Sequence, residues 1–470
     1  MKNVGLFEYI NGRKCAVLGM GVSNLPLVRQ LCEWEIDVTV YDKKDVSELG
    51  DEATQLSQRG VKFFVADGDF SDIDGELIFR SPGIRPDKKG IIQAVGRGAE
   101  LTSEIELFLK LAPTPTYAIT GSDGKTTTTT LTGKFLDEGS DGNVYVGGNI
   151  GKPLLCLCEK MDHEDKTVLE LSSFQLMSAG VSPQYVAITN VSPNHLDWHT
   201  DMDEYVTAKK NIVGQHTKRL VTNADCPATL KIAEEIGVPQ LYLFSSKKTA
   251  RRVFELCPEC DAAITLDGKN ILVSDRNESR VVLNVEDINV PGVHNVENFM
   301  TAIGLTWGHI PIQSYTRVAR EFFGVEHRLE FVRKLDEVSY YNSSIDSSPT
   351  RTAAALSAMK DKSLVIICGG YDKNLDYAPL GEAICRHGGI RAVVLTGATA
   401  DKIGKAVEQF SDEHPTLIYE KDFSEAVNTA KKEARAGDCV VLTPASASFD
   451  AFKNFDERGK TFKRIVNSFG

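Results

Sequence analysis

At 470 residues the chain is longer than one hydrophobic core sustains and predicts about three domains. Its 53 basic against 65 acidic residues give a net charge of −12, which argues against nucleic-acid or anionic-membrane binding and for a small molecule held in a local positive pocket. A 42% hydrophobic and 25% charged composition without any long uncharged apolar run describes an ordinary cytoplasmic globular chain, in which the ten cysteines are expected to be reduced and mostly buried.

In chain order, MKNVGLFEYINGRK lacks the apolar run and small-residue cleavage site of a secretion signal. CAVLGMGVSN, a helical stretch LPLVRQLCEW and DVTVYD then make a strand–helix–strand unit in the nucleotide-binding style. The turn reads Gly19-x-Gly21-x-x-Asn24, so the third glycine of the dinucleotide fingerprint is missing, while Asp42 ends the next strand where a ribose-binding acid would sit. ELIFRSPGI, Glu76 to Ile84, ends another strand in a Ser-Pro-Gly turn suited to a ligand edge. Two prolines in LKLAPTPT, Leu109 to Thr116, break the pattern and place a boundary near residues 103 to 112.

TGSDGKTTTTT, Thr120 to Thr130, follows the apolar YAI. Gly121 and Gly124 let backbone amides turn inward toward an anion, Lys125 adds a mobile cation, and Thr126 adds a hydroxyl suited to Mg²⁺. The full P-loop pattern wants a glycine where Ile119 stands, so the match is to the shorter G-x-x-G-K-T form of a nucleoside triphosphate cradle. TVLEL, YVAITNV, KRLVTN and QLYLF continue as strands alternating with helices, the sign of a mostly parallel sheet covered on both faces. Glu170 ends one such strand beside the loop, as an outer support for Mg²⁺ would. NHLDWH, Asn194 to His199, gathers two histidines and Asp197; with a phosphate loop present, a second hard-cation site or substrate contacts are expected rather than zinc. Cys257 and Cys260 in CPEC lack the partner motif of a zinc site. A third alternation, SLVIICGGYDK, RAVVLTG and DCVVLTPASAS, ends each strand in Gly, Ser or Thr.

TGSDGKTT, ELSSFQL, NVSPNHLDWH, HNVEN (His294 to Asn298), HRLE (His327 to Glu330), GGYDK (Gly369 to Lys373) and PASASFDAFKNFDERG (Pro444 to Gly459) occur in the order shown by the Mur ligases. The chain resembles that family over nearly its whole length, and ELSSFQL with SASFDAFKNFDERG resembles its D-glutamate-adding branch. The resemblance implies an α/β protein of three domains: a Rossmann-like UDP-substrate domain at 1–104, a central P-loop ATPase-like parallel-sheet domain at 105–324, and a Rossmann-like amino-acid domain at 325–470. It implies ATP- and Mg²⁺-dependent ligation in the cytoplasm, by a monomer, of D-glutamate to UDP-N-acetylmuramoyl-L-alanine for peptidoglycan, through an acyl phosphate.

By motif position, the resemblance assigns the loop residues Gly121, Ser122, Asp123, Gly124, Lys125, Thr126 and Thr127 to ATP, with Asn298, Arg328 and Asp346 completing the nucleotide site. Thr126, Glu170, His195 and a carbamylated Lys209 would serve the metals, and Lys125, His195 and Lys209 the catalysis. Ser23, Asp42, Ser81, Asn149, Ser172 and Gln175 would meet the UDP substrate; Thr350, Lys373, Ser448 and Phe455 would form the D-glutamate pocket. Lys209 lies in a helical pattern, DEYVTAKKNIV, about four turns beyond His195 if that segment is continuous, and spacing alone does not separate it from Lys210. Where the family often reads DSKATN, this chain keeps Asp346 and Ser347 but continues with Ser348, Pro349, Thr350 and Arg351, so Ser348 replaces a lysine, with Arg351 close behind. The competing readings are a sister ligase or a folylpolyglutamate synthase-like enzyme, a non-catalytic nucleotide switch, which would not require Glu170, His195 and a third domain, and a dinucleotide oxidoreductase, which leaves the phosphate loop unexplained.

Overall fold

The computed structural model describes residues 5–470 except Val22, Ala179, Val181, Asp197 and Pro291, so the aspartate of NHLDWH lies outside the described residues. The chain forms two compact units, Met1–Glu321 and Phe322–Gly470. It is an α/β protein with three sheets, two in the first unit and one in the second.

The first sheet contains β1 (Cys15–Leu18), β2 (Val38–Asp42), β3 (Lys62–Val65), β4 (Leu77–Arg80) and β5 (Glu100–Thr102). All its pairs are parallel, in the order β3-β2-β1-β4-β5. Strands β1 and β4 are buried along their length because the sheet is covered on both faces, by Leu27, Val28 and Leu31 on one and by Phe70, Ile91 and Ala94 on the other. The chain reverses its winding between β1 and β4, which opens a crevice where the turns after Leu18 and Arg80 diverge.

The second sheet contains β6 (Thr116–Thr120), β7 (Val144–Gly148), β8 (Lys166–Glu170), β9 (Tyr185–Ile188), β10 (Arg219–Asn223), β11 (Gln240–Ser245), β12 (Ala262–Asp267), β13 (Asn270–Ser274) and β14 (Ser279–Asn284). Its order is β14-β13-β12-β11-β10-β9-β6-β8-β7; the last two strands added, β13 and β14, run antiparallel and extend one edge. Here β6 sits at the reversal, between β8 and β9, so the glycine loop leaves the sheet at the place where open parallel sheets bind ligands. One continuous apolar core joins the two sheets, from Leu6 and Val17 through Phe108 and Leu169 to Ala263.

The second unit carries β15 (Glu330–Leu335), β16 (Val338–Asn342), β17 (Leu364–Gly369), β18 (Ile390–Thr396), β19 (Thr416–Glu420) and β20 (Cys439–Leu442). The order is β15-β16-β20-β17-β18-β19, antiparallel only between β15 and β16. Two apolar clusters cover its faces, and the reversal falls between β17 and β20, whose turns carry GGYDK and PASAS.

The helix Glu104–Leu111, opened by the Ser103 side chain accepting from the Glu106 amide at 3.2 Å, ends just before the two prolines, which lie in the irregular connection to β6. No continuous helix runs from His195 to Lys209. His195 has φ 55°, and the helix Met202–Lys210 starts only where Asp201 caps the Glu204 amide at 2.8 Å. No helix among the described residues is long and apolar enough to cross a membrane.

Glu104 is buried and accepts the Leu155 amide at 2.8 Å, and burial pushes its carboxyl from the ordinary 4.5 up to about 7. The folded chain therefore holds this proton more tightly than the unfolded chain, so the contribution to stability is complete below the ordinary value and is lost as pH rises through about 7. Glu104→Gln keeps the acceptor and removes the titration. Between about pH 5 and pH 8 its unfolding midpoint should fall less than that of the wild type; parallel curves in denaturant titrations would rule out a protonated Glu104.

Candidate active site

The loop after β6 is shaped by two glycines. Gly121 has φ 147° and Gly124 φ 80°, and a side chain at Gly124 would collide with the amide oxygen of Asn298. The helix Lys125–Gly139 begins immediately afterwards with no side chain capping its first turn, so its leading amides are available to an anion. The turn after β9 holds the loop in place: Ser122 N donates to Asn190 O at 2.9 Å, Asp123 N to Asn190 Oδ1 at 2.9 Å, and Thr189 Oγ1 to Asp123 O at 2.6 Å. Ser122 Oγ, buried, meets Ser192 O at 2.9 Å and the Tyr205 hydroxyl at 3.0 Å. Thr126 and Thr127 stand half-buried in the first helical turn.

Two ammonium groups close on this loop. Lys125 Nζ donates to Gly121 O at 2.9 Å and Ser122 O at 2.8 Å, and Lys209 Nζ donates to the same Gly121 O at 2.7 Å. Lys209 is only 1% exposed, with its ammonium 4.4 Å from the centre of the Tyr205 ring. Burial, reinforced by the nearby Lys125 charge, pulls its pKa down to about 7, so a large fraction of neutral amine exists at physiological pH. Lys210 points elsewhere and pairs with Glu235 at 2.7 Å. The structure thus separates two neighbouring lysines that spacing could not.

Glu170 lies in register with Ile119, at the end of the strand beside the loop, and is 2% exposed. Its Oε1 accepts Asn149 Nδ2 at 2.9 Å, while its Oε2 is buried with no hydrogen-bond partner. An orphaned carboxylate oxygen is costly unless a cation or proton satisfies it. With the Thr126 hydroxyl at the first turn of the adjacent helix, these donors suit a hard divalent cation. His195 is exposed, its ring 5.0 Å from that of Phe174. Ser172 and Gln175 cap each other across the short helix Ser173–Leu176: Ser172 Oγ accepts Gln175 N at 3.3 Å and Gln175 Oε1 accepts Ser172 N at 2.9 Å.

Asn298 is buried beside the loop, accepting from Thr128 Oγ1 at 3.3 Å. It lines a cavity of about 140 Å³ together with Asp123, Gly124, Asn190, Phe244 and His294, whose imidazole is held below its ordinary pKa by burial. In the first sheet's crevice Gly19 approaches Ser81 closely, and the Asp42 carboxylate accepts the Met20 amide at 2.8 Å and the Lys44 amide at 3.0 Å, with Ser23 half-buried nearby in chain.

In the second unit, Ser448 is buried and Lys373 exposed, its ammonium 5.5 Å from the ring centre of Phe449. Phe455 is exposed with its ring edge-on to His327 at 5.9 Å, and Thr350 is exposed beside Ser348, hydroxyls 3.2 Å apart. Arg351 donates to Ile345 O at 3.2 Å. Asp346 accepts from Thr443 Oγ1 at 3.0 Å, and burial pushes its pKa up to about 6 despite opposing hydrogen bonds from Ser343 and Thr443 and the charges of Arg328 and Arg351. Arg328 itself is exposed.

Arg458 is a residue that motif reasoning passed over. It is buried and donates to Ser344 Oγ at 3.1 Å and to the carbonyls of Ser344, Ser446 and Ala447, each at 3.0 Å, fixing the turn that presents Ser448. Nothing local to FDERG marks this arginine as buried. Cys257 and Cys260 are buried free thiols, Cys260 donating to Ala262 O at 3.1 Å. Among the described residues the one acid–histidine cluster compact enough for a metal is Glu326, His327 and Glu330. Asn342 at 2.9 Å and Asp456 at 3.0 Å already engage both His327 ring nitrogens.

Residues 119–306 match the family model of the Mur ligase middle domain and residues 327–446 that of the Mur ligase glutamate ligase domain. The UDP-N-acetylmuramoylalanine–D-glutamate ligase of Ruminiclostridium cellulolyticum is 41% identical over 467 residues, 98% of this chain and 97% of that protein. The enzyme of the same name from Clostridium novyi is 42% identical over 468 residues, 98% of each. Among solved structures, UDP-N-acetylmuramate-alanine ligase MurC from Thermotoga maritima superposes with a TM-score of 0.54 over 97% of this chain and 99% of its own. At 17% identity this is a likeness of fold.

The placement of the two lysines gives a direct test. Lys210→Ala removes an outward ion pair and should change ADP formation by less than about twofold, because exposed pairs contribute little. Lys209→Ala removes the buried amine at the loop and should lower ADP formation by roughly two to four orders of magnitude, as for other groups acting at a transferring phosphoryl. Similar rates for the two variants would remove Lys209 from the site.

Proposed function

The chain belongs to the Mur ligase family, and on that footing we propose that it joins D-glutamate to UDP-N-acetylmuramoyl-L-alanine at the expense of ATP, in peptidoglycan precursor synthesis. The single observation that carries this reading is near-full-length identity of 41% and 42% to two ligases of that name, on a chain whose phosphate loop and buried Glu170 stand side by side. We place the enzyme in the cytoplasm as a monomer, with UDP-substrate, ATP and amino-acid domains at 1–104, 105–324 and 325–470.

The chemistry needs a carboxylate activated and an amine delivered. The substrate carboxylate attacks the γ-phosphorus of ATP, the bond to the β-phosphate oxygen breaks, and ADP leaves. The amine of D-glutamate then attacks the carbonyl carbon of the acyl phosphate; inorganic phosphate departs, and the amine loses a proton as the amide forms. The loop amides of Gly121 to Thr126 and the Lys125 ammonium neutralise charge on the transferring group, which requires Lys125 to exchange its Gly121 and Ser122 carbonyls for phosphate oxygens. Asn298 and the cavity beside it take the nucleoside. Arg328 and Asp346 are assigned to the nucleotide by motif position alone.

Glu170, Thr126 and His195 are the residues that would hold Mg²⁺, which when bound offsets the negative charge of the triphosphate. Lys209, with its depressed pKa, has the neutral amine that addition of CO₂ requires; the N–C bond forms, one amine proton is lost to solvent, and the resulting carbamate is an anion fitted to the site that would hold Mg²⁺. Acetate should accordingly restore part of the activity lost in Lys209→Ala. Asn149 is proposed to meet the UDP substrate, a reading supported by its hydrogen bond to Glu170 at 2.9 Å. Ser23, Asp42, Ser81, Ser172 and Gln175 serve the UDP substrate. Thr350, Lys373, Ser448 and Phe455 serve D-glutamate, with Lys373 pairing to one of its carboxylates.

Phosphate release should require UDP-N-acetylmuramoyl-L-alanine and D-glutamate together; release without either would identify a nucleotide switch, and preference for another amino acid a sister ligase. Lys373→Ala should raise the KM for D-glutamate by roughly tenfold or more while moving that for ATP less than about twofold, because loss of a carboxylate's cation is felt by that substrate alone. Equal shifts would reassign Lys373 to the nucleotide.

A further inference from the structure

Two arginines bracket the turn Ser81–Ile84, and both reach out of the first sheet. Arg80, the last residue of β4, is 1% exposed. One terminal nitrogen donates to the carbonyls of Ser81, Pro82 and Ile84 at 3.4, 3.2 and 2.6 Å; the other donates to Phe174 O at 3.3 Å and Ser178 Oγ at 2.9 Å. The buried Glu106 carboxyl supplies the opposing charge. Arg85, at the far end of the turn, donates to Trp198 O at 2.9 Å and to both Glu204 oxygens at 3.1 and 2.8 Å, with Asp87 as a further partner at 2.8 Å. Its guanidinium lies 5.1 Å from the Trp198 ring centre, and the Trp198 indole N–H returns a bond to Gly83 O at 3.3 Å.

The segments so reached flank the reacting centre. Phe174 and Ser178 follow Glu170 down the chain, while Trp198 and Glu204 lie between His195 and Lys209, Glu204 on the same helix as Lys209. A planar guanidinium whose two terminal nitrogens bond separate segments holds those segments in one register, as Arg80 does between its own turn and Phe174 O with Ser178 Oγ while its Nε stays unpartnered, and a flexible ammonium would not do this. Burial raises the stakes, since each carbonyl left without its donor costs its full desolvation.

We infer that Arg80 and Arg85 are positioning residues of the ligation: they register the turn lining the UDP-substrate crevice against the segments that carry Glu170, His195 and Lys209, so that the substrate carboxylate meets the γ-phosphate. This rests on the ligase reading above. Neither arginine touches the reacting atoms; both act through the turn, and misplacement by about an ångström costs on the order of a hundredfold in rate.

The test is steady-state kinetics of full-length Arg80→Lys, Arg85→Lys and Arg85→Ala beside thermal unfolding and calorimetric titration with UDP. The expected result is a kcat lowered about 10- to 100-fold, with the KM values for ATP and D-glutamate and the affinity for UDP itself within about twofold, because each substrate still has its own subsite. Arg85→Lys should recover little, lacking the fork. Unchanged kcat in the folded Arg85 variants would overturn the inference. Loss of UDP affinity with kcat intact would also overturn it, leaving the arginines as crevice-shaping groups alone. If Arg80→Lys does not fold, the Arg85 pair decides. A wild type that releases phosphate without the UDP substrate would instead defeat the ligase reading, which the same assay reveals before any variant is made.

Discussion

The carbonyl oxygen of Gly121 receives two ammonium groups, and much of the first unit can be understood from what that demands. Lys125 and Lys209 donate to it at 2.9 and 2.7 Å. Burial of Lys209 beside the Tyr205 ring is what chiefly pulls its pKa down to about 7, and repulsion from Lys125 on the shared acceptor adds to it. The carbonyl can face both only because Gly121 takes a backbone angle that side chains disfavour, and because the turn after β9 fixes the following residues through Thr189 and Asn190. Next to this excess of positive charge lies the unsatisfied oxygen of Glu170. The loop thus concentrates both signs of charge, with an anion expected on one side and a cation on the other.

The parts of this arrangement that were legible in the sequence are those in which local chemistry coincides with local geometry. Gly121, Gly124 and Lys125 lie within five residues, and their spacing alone describes a phosphate cradle. Strands could be read because fully covered parallel strands are nearly continuous apolar runs, as in YVAI beside the loop and LVIICG and CVVL in the second unit. Illegible were the contacts closed over long stretches of chain. Arg80 to Ser178 spans 98 residues and Arg458 to Ser344 spans 114, and nothing in LIFR or FDERG announces a buried guanidinium. The capping box of Ser172 and Gln175 was hidden for a different reason: a Ser-x-x-Gln pair before a helix serves a cap as well as the ligand contacts proposed for it, and the two are compatible.

The second unit repeats the logic with other groups. Its sheet also reverses, here between β17 and β20, and again a buried cation organises carbonyls at the reversal, Arg458 in place of Arg80. Ser446 bonds both Tyr377 and Thr399 at 2.8 Å, so the PASAS turn is fixed from two directions before Ser448 meets any ligand. By contrast Tyr371 and Phe449 remain exposed beside Lys373, the two rings edge-to-face at 5.9 Å.

The apolar core that runs unbroken from Leu6 to Ala263 has a consequence for how the chain comes apart. Domains are usually joined by linkers that few contacts cross, and each then melts by itself. Here the first two sheets share both a core and the Arg80 tie, so loosening one exposes the other. The first sheet is therefore not an appendage that comes loose at little cost: its stability and that of the phosphate loop are one quantity, and any ligand bound at either sheet protects both from unfolding.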